Sequence, residues 1–213
     1  IRDSNSSGEN LKKLKDLINI HGIDCEIINH DKSEHKEKIA AENNQETFGN
    51  LSSLLKCFEV AKKDQSDLIY FVEDDYLHYE HSLVDMLNTY ERVSSQHKDE
   101  IIVCPSDYPF NYMNNEKTNI LIGSQQHWRT ITKMLCTFMI SKKMFQKHID
   151  NFEKTCEKRH EPFEKYLNKI LESEIGISPI KSLAVHMTNV NSSYGLSPFI
   201  DIKKLWEENK IDQ

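Results

Sequence analysis

No apolar run in the 213 residues approaches the length of a membrane span, and no secretory leader is visible. Cysteine is sparse and shows no pairing pattern. Cys25, Cys57, Cys104, Cys136 and Cys156 are odd in number and contain no C-x-x-C pair. Four of them sit inside apolar patterns, where cysteine acts as a small hydrophobe. This argues against a disulfide framework and against a cysteine zinc site, and for a reduced, cytoplasmic setting. An excess of basic charge is also missing. The formal net charge of −7 argues against a general nucleic-acid binder, which shows a basic face. It leaves room for a nucleotide whose charge is met locally by a metal. A Gly-rich, basic phosphate loop is absent near the start, which counts against a nucleotidyltransferase. Low-complexity segments, internal repeats and interdomain linkers are absent too, so the expectation is one domain over residues 1–213. The chain opens on Ile1-Arg2-Asp3 without Met, which suggests a piece of a longer protein.

The most informative stretch present is Leu68-Ile69-Tyr70-Phe71-Val72-Glu73-Asp74-Asp75-Tyr76. Five apolar residues run directly into three carboxylates. The apolar part reads as a strand buried on both faces, as in a parallel sheet. Ligands of open α/β sheets sit just beyond such carboxyl ends. Adjacent acids repel one another, and a hard divalent cation, Mg²⁺ or Mn²⁺, would offset them. A solvated loop after a strand accounts for the same acids.

Periodicity supplies the frame. Ser6-x-x-Glu9 reads as a capping box, followed by the helix face Leu11, Leu14, Leu17 and Ile18 and by Gly22 at its end. Cys25 to Ile28 reads as a short strand. Leu51, Leu54, Leu55, Phe58 and Ala61 mark a second helix preceded by Asn50, and Leu83, Leu87 and Tyr90 mark a third over 82–93. Strands are expected at 101–104, 119–123, 130–140 and 180–185. Ser141 caps a helix, Pro162 suits the first turn of another, and a last short helix lies near Leu205 and Trp206. Helix and strand alternate in the first half, which predicts an α/β fold with a mostly parallel central sheet flanked by helices and a mixed C-terminal half.

The order of these parts resembles the GT-A glycosyltransferases, most closely family two of that class, over nearly the whole chain. The resemblance implies a Rossmann-like sheet lacking here its first strand and helix. It places a nucleotide-sugar-binding stretch at Asp3-Ser4-Asn5-Ser6-Ser7, so Asp3, Ser4 and Ser6 become donor-binding candidates. It reads Glu73-Asp74-Asp75 as the D-x-D motif, with Glu at its first position. It sets His160-Glu161-Pro162-Phe163 where the catalytic base resides, without the usual Glu-Asp pair, and it makes His186, at the end of Ser182-Leu183-Ala184-Val185, a metal ligand beside Asp75. The implied donor is a nucleotide sugar, a UDP-sugar first among them. The implied acceptor is a glycan or glycolipid of the cell surface, handled in the cytoplasm or at the inner face of the membrane.

In such a transfer Asp75 and His186 would bind Mn²⁺ or Mg²⁺. Glu73 would lie near the ribose or the metal's water shell, and Asp74 would orient its neighbours. An inverting transfer needs a base at the acceptor hydroxyl, for which Glu161 stands first and Asp107 second. Each residue has a plainer reading. A strand-end His186 bonded to backbone, a Glu161 favoured by a helix start and an Asp107 braced in the turn Pro105-Ser106-Asp107-Tyr108-Pro109 all account for the sequence. His127-Trp128-Arg129 is read either as a loop whose Trp stacks on sugar and whose Arg meets phosphate, or as a Trp anchored in the core. Tyr108, Phe110 and Tyr112 either line an acceptor groove or pack. A silent nucleotide-sugar-binding domain and a nucleotidyltransferase are the competing functions.

Overall fold

The computed structural model describes residues 1–3, 6–39, 42–113, 115–188, 190–197 and 200–210. Its strands are β1 (Arg2–Asp3), β2 (Ile28–Asn29), β3 (Leu68–Phe71), β4 (Tyr76–His78), β5 (Ile101–Val103), β6 (Ile120–Ile122), β7 (His127–Ile131), β8 (Phe138–Ser141), β9 (Ile175–Pro179) and β10 (Ala184–His186). Its helices are α1 (Gly8–Ile20), α2 (Gln45–Lys63), α3 (Ser82–His97), α4 (Lys142–Lys147), α5 (Ile149–Thr155), α6 (Lys165–Ile170) and α7 (Ile202–Glu208). The chain divides into two compact units, residues 1–64 with 150–163, and residues 65–149 with 164–213. Among the described residues no helix is long and apolar enough to cross a membrane.

In the first unit β1 and β2 pair in parallel, Asp3 opposite Asn29. The cap of α1 is Ser7, one residue after the expected Ser6, and its side chain accepts from the Asn10 amide at 3.2 Å. Gly22 follows the helix at φ +59°, a conformation that glycine adopts without a Cβ clash. The second helix starts at Gln45 instead of after Asn50, because Asn44 accepts from the Thr47 amide at 3.0 Å and opens it earlier. Its buried face carries Leu51, Leu55, Phe58 and Ala61, and Phe58 meets Phe152 of α5 edge-on with ring centroids 5.1 Å apart.

The second unit is built on a six-stranded sheet of order β3-β8-β5-β9-β7-β6. It is mostly antiparallel, in place of the mostly parallel sheet expected from sequence. Only β5 and β9 pair in parallel. The physical reason lies in the connections, since parallel neighbours need a long crossover that is usually helical. Helices separate the strands as far as β5 except between β3 and β4, but no α-helix separates β5, β6, β7 and β8. The sheet contains one strand that periodicity missed, β9, and the strand expected over 130–140 is two strands separated by residues 132–137. Met134, Leu135 and Cys136 are buried in that connection without being in a strand.

β3 lies at the outer edge of this sheet, not buried on both faces. Leu68, Ile69 and Tyr70 are half-buried, and Val72 is 53% exposed. The core centres on Trp128, packed with Met86, Val103, Met139 and Ile177. Thus Trp128 is anchored in the core, as the second reading of its sequence had it, but on the strand β7 instead of a loop, and Arg129, which that reading left solvated, is buried. Gly123 permits this packing, since a Cβ there would stand 2.2 Å from Trp128 Nε1. Apart from the large sheet, β4 and β10 form a two-stranded antiparallel ribbon with Tyr76 opposite His186.

Candidate active site

The acids that end β3 face the ribbon. Glu73 is held through its backbone amide, which donates to Thr137 Oγ1 at 3.0 Å, just ahead of β8. The chain turns at Asp74 and Asp75 and enters β4. The Asp75 carbonyl accepts from the Met187 amide at 2.7 Å, so backbone fixes Asp75 against the end of β10. Side chains complete the join. His186 Nε2 lies 2.9 Å from Asp75 Oδ2, although 111 positions separate the two residues. The late histidine and the last acid of the motif therefore meet, as their strand-end positions suggested. Asp74, by contrast, is exposed.

Electrostatics sort the three acids. The His186 hydrogen bond holds Asp75 below its ordinary range, and the same bond raises His186. The pair thus favours the charged form of each partner. Glu73 behaves oppositely. Burial, helped by the charge of Asp75, pushes it up to about 7, and Glu164 at the start of α6 adds to the effect. Glu164 is therefore part of this electrostatic neighbourhood, a residue that the sequence did not single out. The helix after Pro162 starts at Lys165, with Glu164 at its cap.

An aromatic array borders the acids. The Tyr76 ring stacks on His186 with centroids 4.9 Å apart, and its hydroxyl lies 2.6 Å from that of Tyr108. Tyr108 meets Tyr194 edge-on, and Tyr194 stacks on Phe110 at 5.5 Å with 7° between planes. Thr137 and Tyr194 carried no signal in the sequence, because each sits in a connection without periodicity.

Asp107 and Arg129 come together beyond this array. Asp107 is 1% exposed, and its backbone amide donates to Ser182 Oγ at 2.7 Å. Its Oδ2 accepts from the Tyr112 hydroxyl, and Arg129 Nη2 lies 3.7 Å from its Oδ1. Burial pushes the Asp107 carboxyl up to about 6, against the opposing effects of Tyr112 and Arg129. The folded state then holds this proton more tightly than the unfolded chain does. Its stabilising contribution is complete below about pH 3.8 and is lost as pH rises through about 6. Asp107→Asn lacks this dependence, so its melting temperature relative to the natural protein should climb across that interval and level off above it. Thermal melts at successive pH values check this, and a constant difference would contradict it.

Asp3, Ser6 and Glu161 belong to the first unit. Asp3 ends β1, Ser6 precedes the cap of α1, and Glu161 is exposed. Ser4 lies outside the described residues. His160 Nε2 lies 2.9 Å from the Lys154 carbonyl, a structural contact within that unit.

Among the described residues, no three His, Cys, Asp or Glu side chains are grouped to hold a metal ion. The residues present fit one kind of cation nevertheless. Asp75 Oδ1 and His186 Nδ1 are buried atoms without a close, well-aligned hydrogen-bond partner, although the Thr188 side chain favours the charged form of Asp75 and the Tyr194 backbone that of His186. Mg²⁺-like ions are commonly held by one or two carboxylates, with substrate phosphates and water filling the other positions. Asp75 with His186 suits an ion completed by a diphosphate, not a preformed protein cage. No protein-family model matches the chain, and no curated protein matches it.

Proposed function

We propose that the chain is a metal-dependent, inverting glycosyltransferase of the GT-A class, moving a sugar from a nucleotide sugar to a glycan or glycolipid. The contact of Asp75 with His186 at 2.9 Å carries this reading. It joins the acid-tipped β3 to the late histidine in the order that the class resemblance implies. The GT-A assignment rests on that order of parts, not on strand direction.

Asp75 and His186 would hold the cation, Mn²⁺ or Mg²⁺, giving up their mutual hydrogen bond to do so. Held there, the ion would supply positive charge to offset the negative charge that builds on the departing diphosphate. Glu73, raised to about 7 chiefly by burial, would hydrogen-bond a ribose hydroxyl or the ion's water. The class resemblance alone keeps Asp74 and Arg129 of the second unit, and separately Asp3, Ser4 and Ser6, as further donor-binding candidates. In the transfer the acceptor oxygen bonds to the anomeric carbon as the bond to the diphosphate breaks. The acceptor proton passes to a carboxylate. We assign that role to Glu164, because its charge acts on Glu73, with Glu161 as the comparison. Asp107 is buried against Tyr112 and Arg129, and serves in this reading as a positioning residue.

A thermal-shift screen of nucleotide sugars, UDP-sugars first, tests the function. A ligand that binds only the native state raises the melting temperature, and one nucleotide sugar should do so only with Mn²⁺ or Mg²⁺ present. No stabilisation by any nucleotide sugar, with or without metal, would overturn the proposal. The second reading, a nucleotide-sugar-binding domain without turnover, is favoured by the lack of a preassembled metal group among the described residues. Binding without donor hydrolysis or transfer would select it.

A further inference from the structure

A histidine that ligates a metal needs its ring held, because the last torsion of its side chain is broad. The 2.9 Å contact of His186 Nε2 with Asp75 Oδ2 supplies such a hold. In the proposed function a cation takes both side chains and that contact is given up. A hold that does not pass through Asp75 is then required.

Tyr76 meets the requirement. It stands directly opposite His186 across the β4–β10 ribbon. Residues paired in this way carry their side chains close together on one face. The two rings are stacked, with centroids 4.9 Å apart and 24° between planes. Turning the imidazole out of this arrangement would drive its edge into the tyrosine face. Hydrogen bonding with the Tyr194 main chain acts at the edge of the imidazole, while Tyr76 covers its face. The Tyr76 ring is itself fixed. It is buried, and its hydroxyl lies 2.6 Å from the hydroxyl of the buried Tyr108.

The strand that carries His186 is braced separately. The Pro105 carbonyl accepts from the Leu183 and Ala184 amides at 2.8 and 3.2 Å, and Ser106 Oγ donates to the Ala184 carbonyl at 2.8 Å. These bonds set the course of β10 without Tyr76. The ring of Tyr76 therefore governs how the imidazole points, and the main chain governs where it starts.

We infer that Tyr76 is a positioning residue for the metal pair, its ring, fixed through Tyr108, keeping the His186 imidazole aimed at the cation once the bond to Asp75 is given up. This role rests on the glycosyltransferase reading, and Tyr76 acts in it through His186 alone.

The test reads metal-dependent binding by the full chain, not turnover. UDP, GDP and ADP are each titrated by calorimetry with and without Mn²⁺, and the tightest Mn²⁺-dependent binder is kept as the probe. In Tyr76→Leu its affinity in Mn²⁺ should fall by about 10–100-fold, the scale of an outer-shell partner. Tyr76→Phe keeps the ring and should stay within about threefold of the natural protein, since stacking survives the loss of the hydroxyl. Leu77, the next residue of β4, is half-buried and points to the opposite face of the ribbon. Leu77→Ala should lower the melting temperature and leave Mn²⁺-dependent affinity in place. An equal loss of affinity in Leu77→Ala would make Tyr76 a mere support of the ribbon and overturn the inference. Undiminished affinity in a folded Tyr76→Leu overturns it as well, while the metal site itself stands. If no nucleotide binds the natural protein in an Mn²⁺-dependent way, the metal site fails and the inference with it. If Tyr76→Leu does not fold, the natural protein decides. Ring-proton contacts between Tyr76 and His186 should persist after loading with Mg²⁺ and the probe, and their disappearance on loading overturns the inference.

Discussion

Asp75→Ala should abolish metal-dependent binding of the donor while leaving the fold in place. The carboxylate lies 2.9 Å from His186 Nε2, and one of its oxygens is buried without a close partner. Removing it deletes a direct ligand, a loss larger than the roughly 10–100-fold that follows from disturbing an outer-shell partner. We therefore expect donor affinity in Mn²⁺ to fall by more than about 100-fold. Stability should change little. The Asp75 side chain is 30% exposed, and pairs so open to water contribute modestly. The backbone bond from Met187 to the Asp75 carbonyl survives the substitution. Calorimetric titration of the donor with and without Mn²⁺ gives the answer. Unchanged metal-dependent affinity in a folded Asp75→Ala would sink the metal site.

Glu164→Gln should cut turnover by roughly 10²–10⁴-fold, the usual weight of a general base, with donor affinity nearly unchanged. Glutamine keeps the size and the helix-cap position of Glu164 but cannot accept the acceptor's proton. Two observations motivate the choice. Glu164 is half-buried at the start of α6, and its charge helps raise Glu73. Glu161 is exposed. The pair of variants decides between them. Turnover lost in Glu161→Gln and kept in Glu164→Gln transfers the role to Glu161. Loss of donor binding along with turnover in Glu164→Gln would make that residue a support for Glu73 instead of a base.

Much of the site could be read before the structure, for a simple reason. Asp75 and His186 each follow an apolar run, and strand ends are easy to recognise from composition. Their meeting needs only that both runs open on one side. Glu164 was harder, because Pro162 offers a stronger helix-start signal two residues earlier. Tyr112 stood out as an aromatic, but its bonds to Asp107 and Arg129 did not, because Asp107 lies in the connection after β5 and Arg129 on β7, joined only by the fold. The sheet shows where pattern reading fails. Apolarity reports burial, so Met134 to Cys136 looked like strand when they are a buried connection. Periodicity is also blind to direction, since a strand reads the same whether its neighbour runs with it or against it. The short β9, interrupted by Gly176 and ending at Pro179, offered too few apolar residues to be seen.

The separate ribbon of β4 and β10 bears on how such a chain can diverge. The core around Trp128 is supplied chiefly by α3 and the large sheet. The register that sets Tyr76 opposite His186 is a main-chain pairing outside that sheet. Under the proposed function, substitutions of the residues packed on Trp128 would act mainly on whether the protein persists, and those at Asp75 and His186, at the ribbon's end, mainly on what it does. Persistence and activity would then answer to different positions, so that either could drift over generations with little effect on the other.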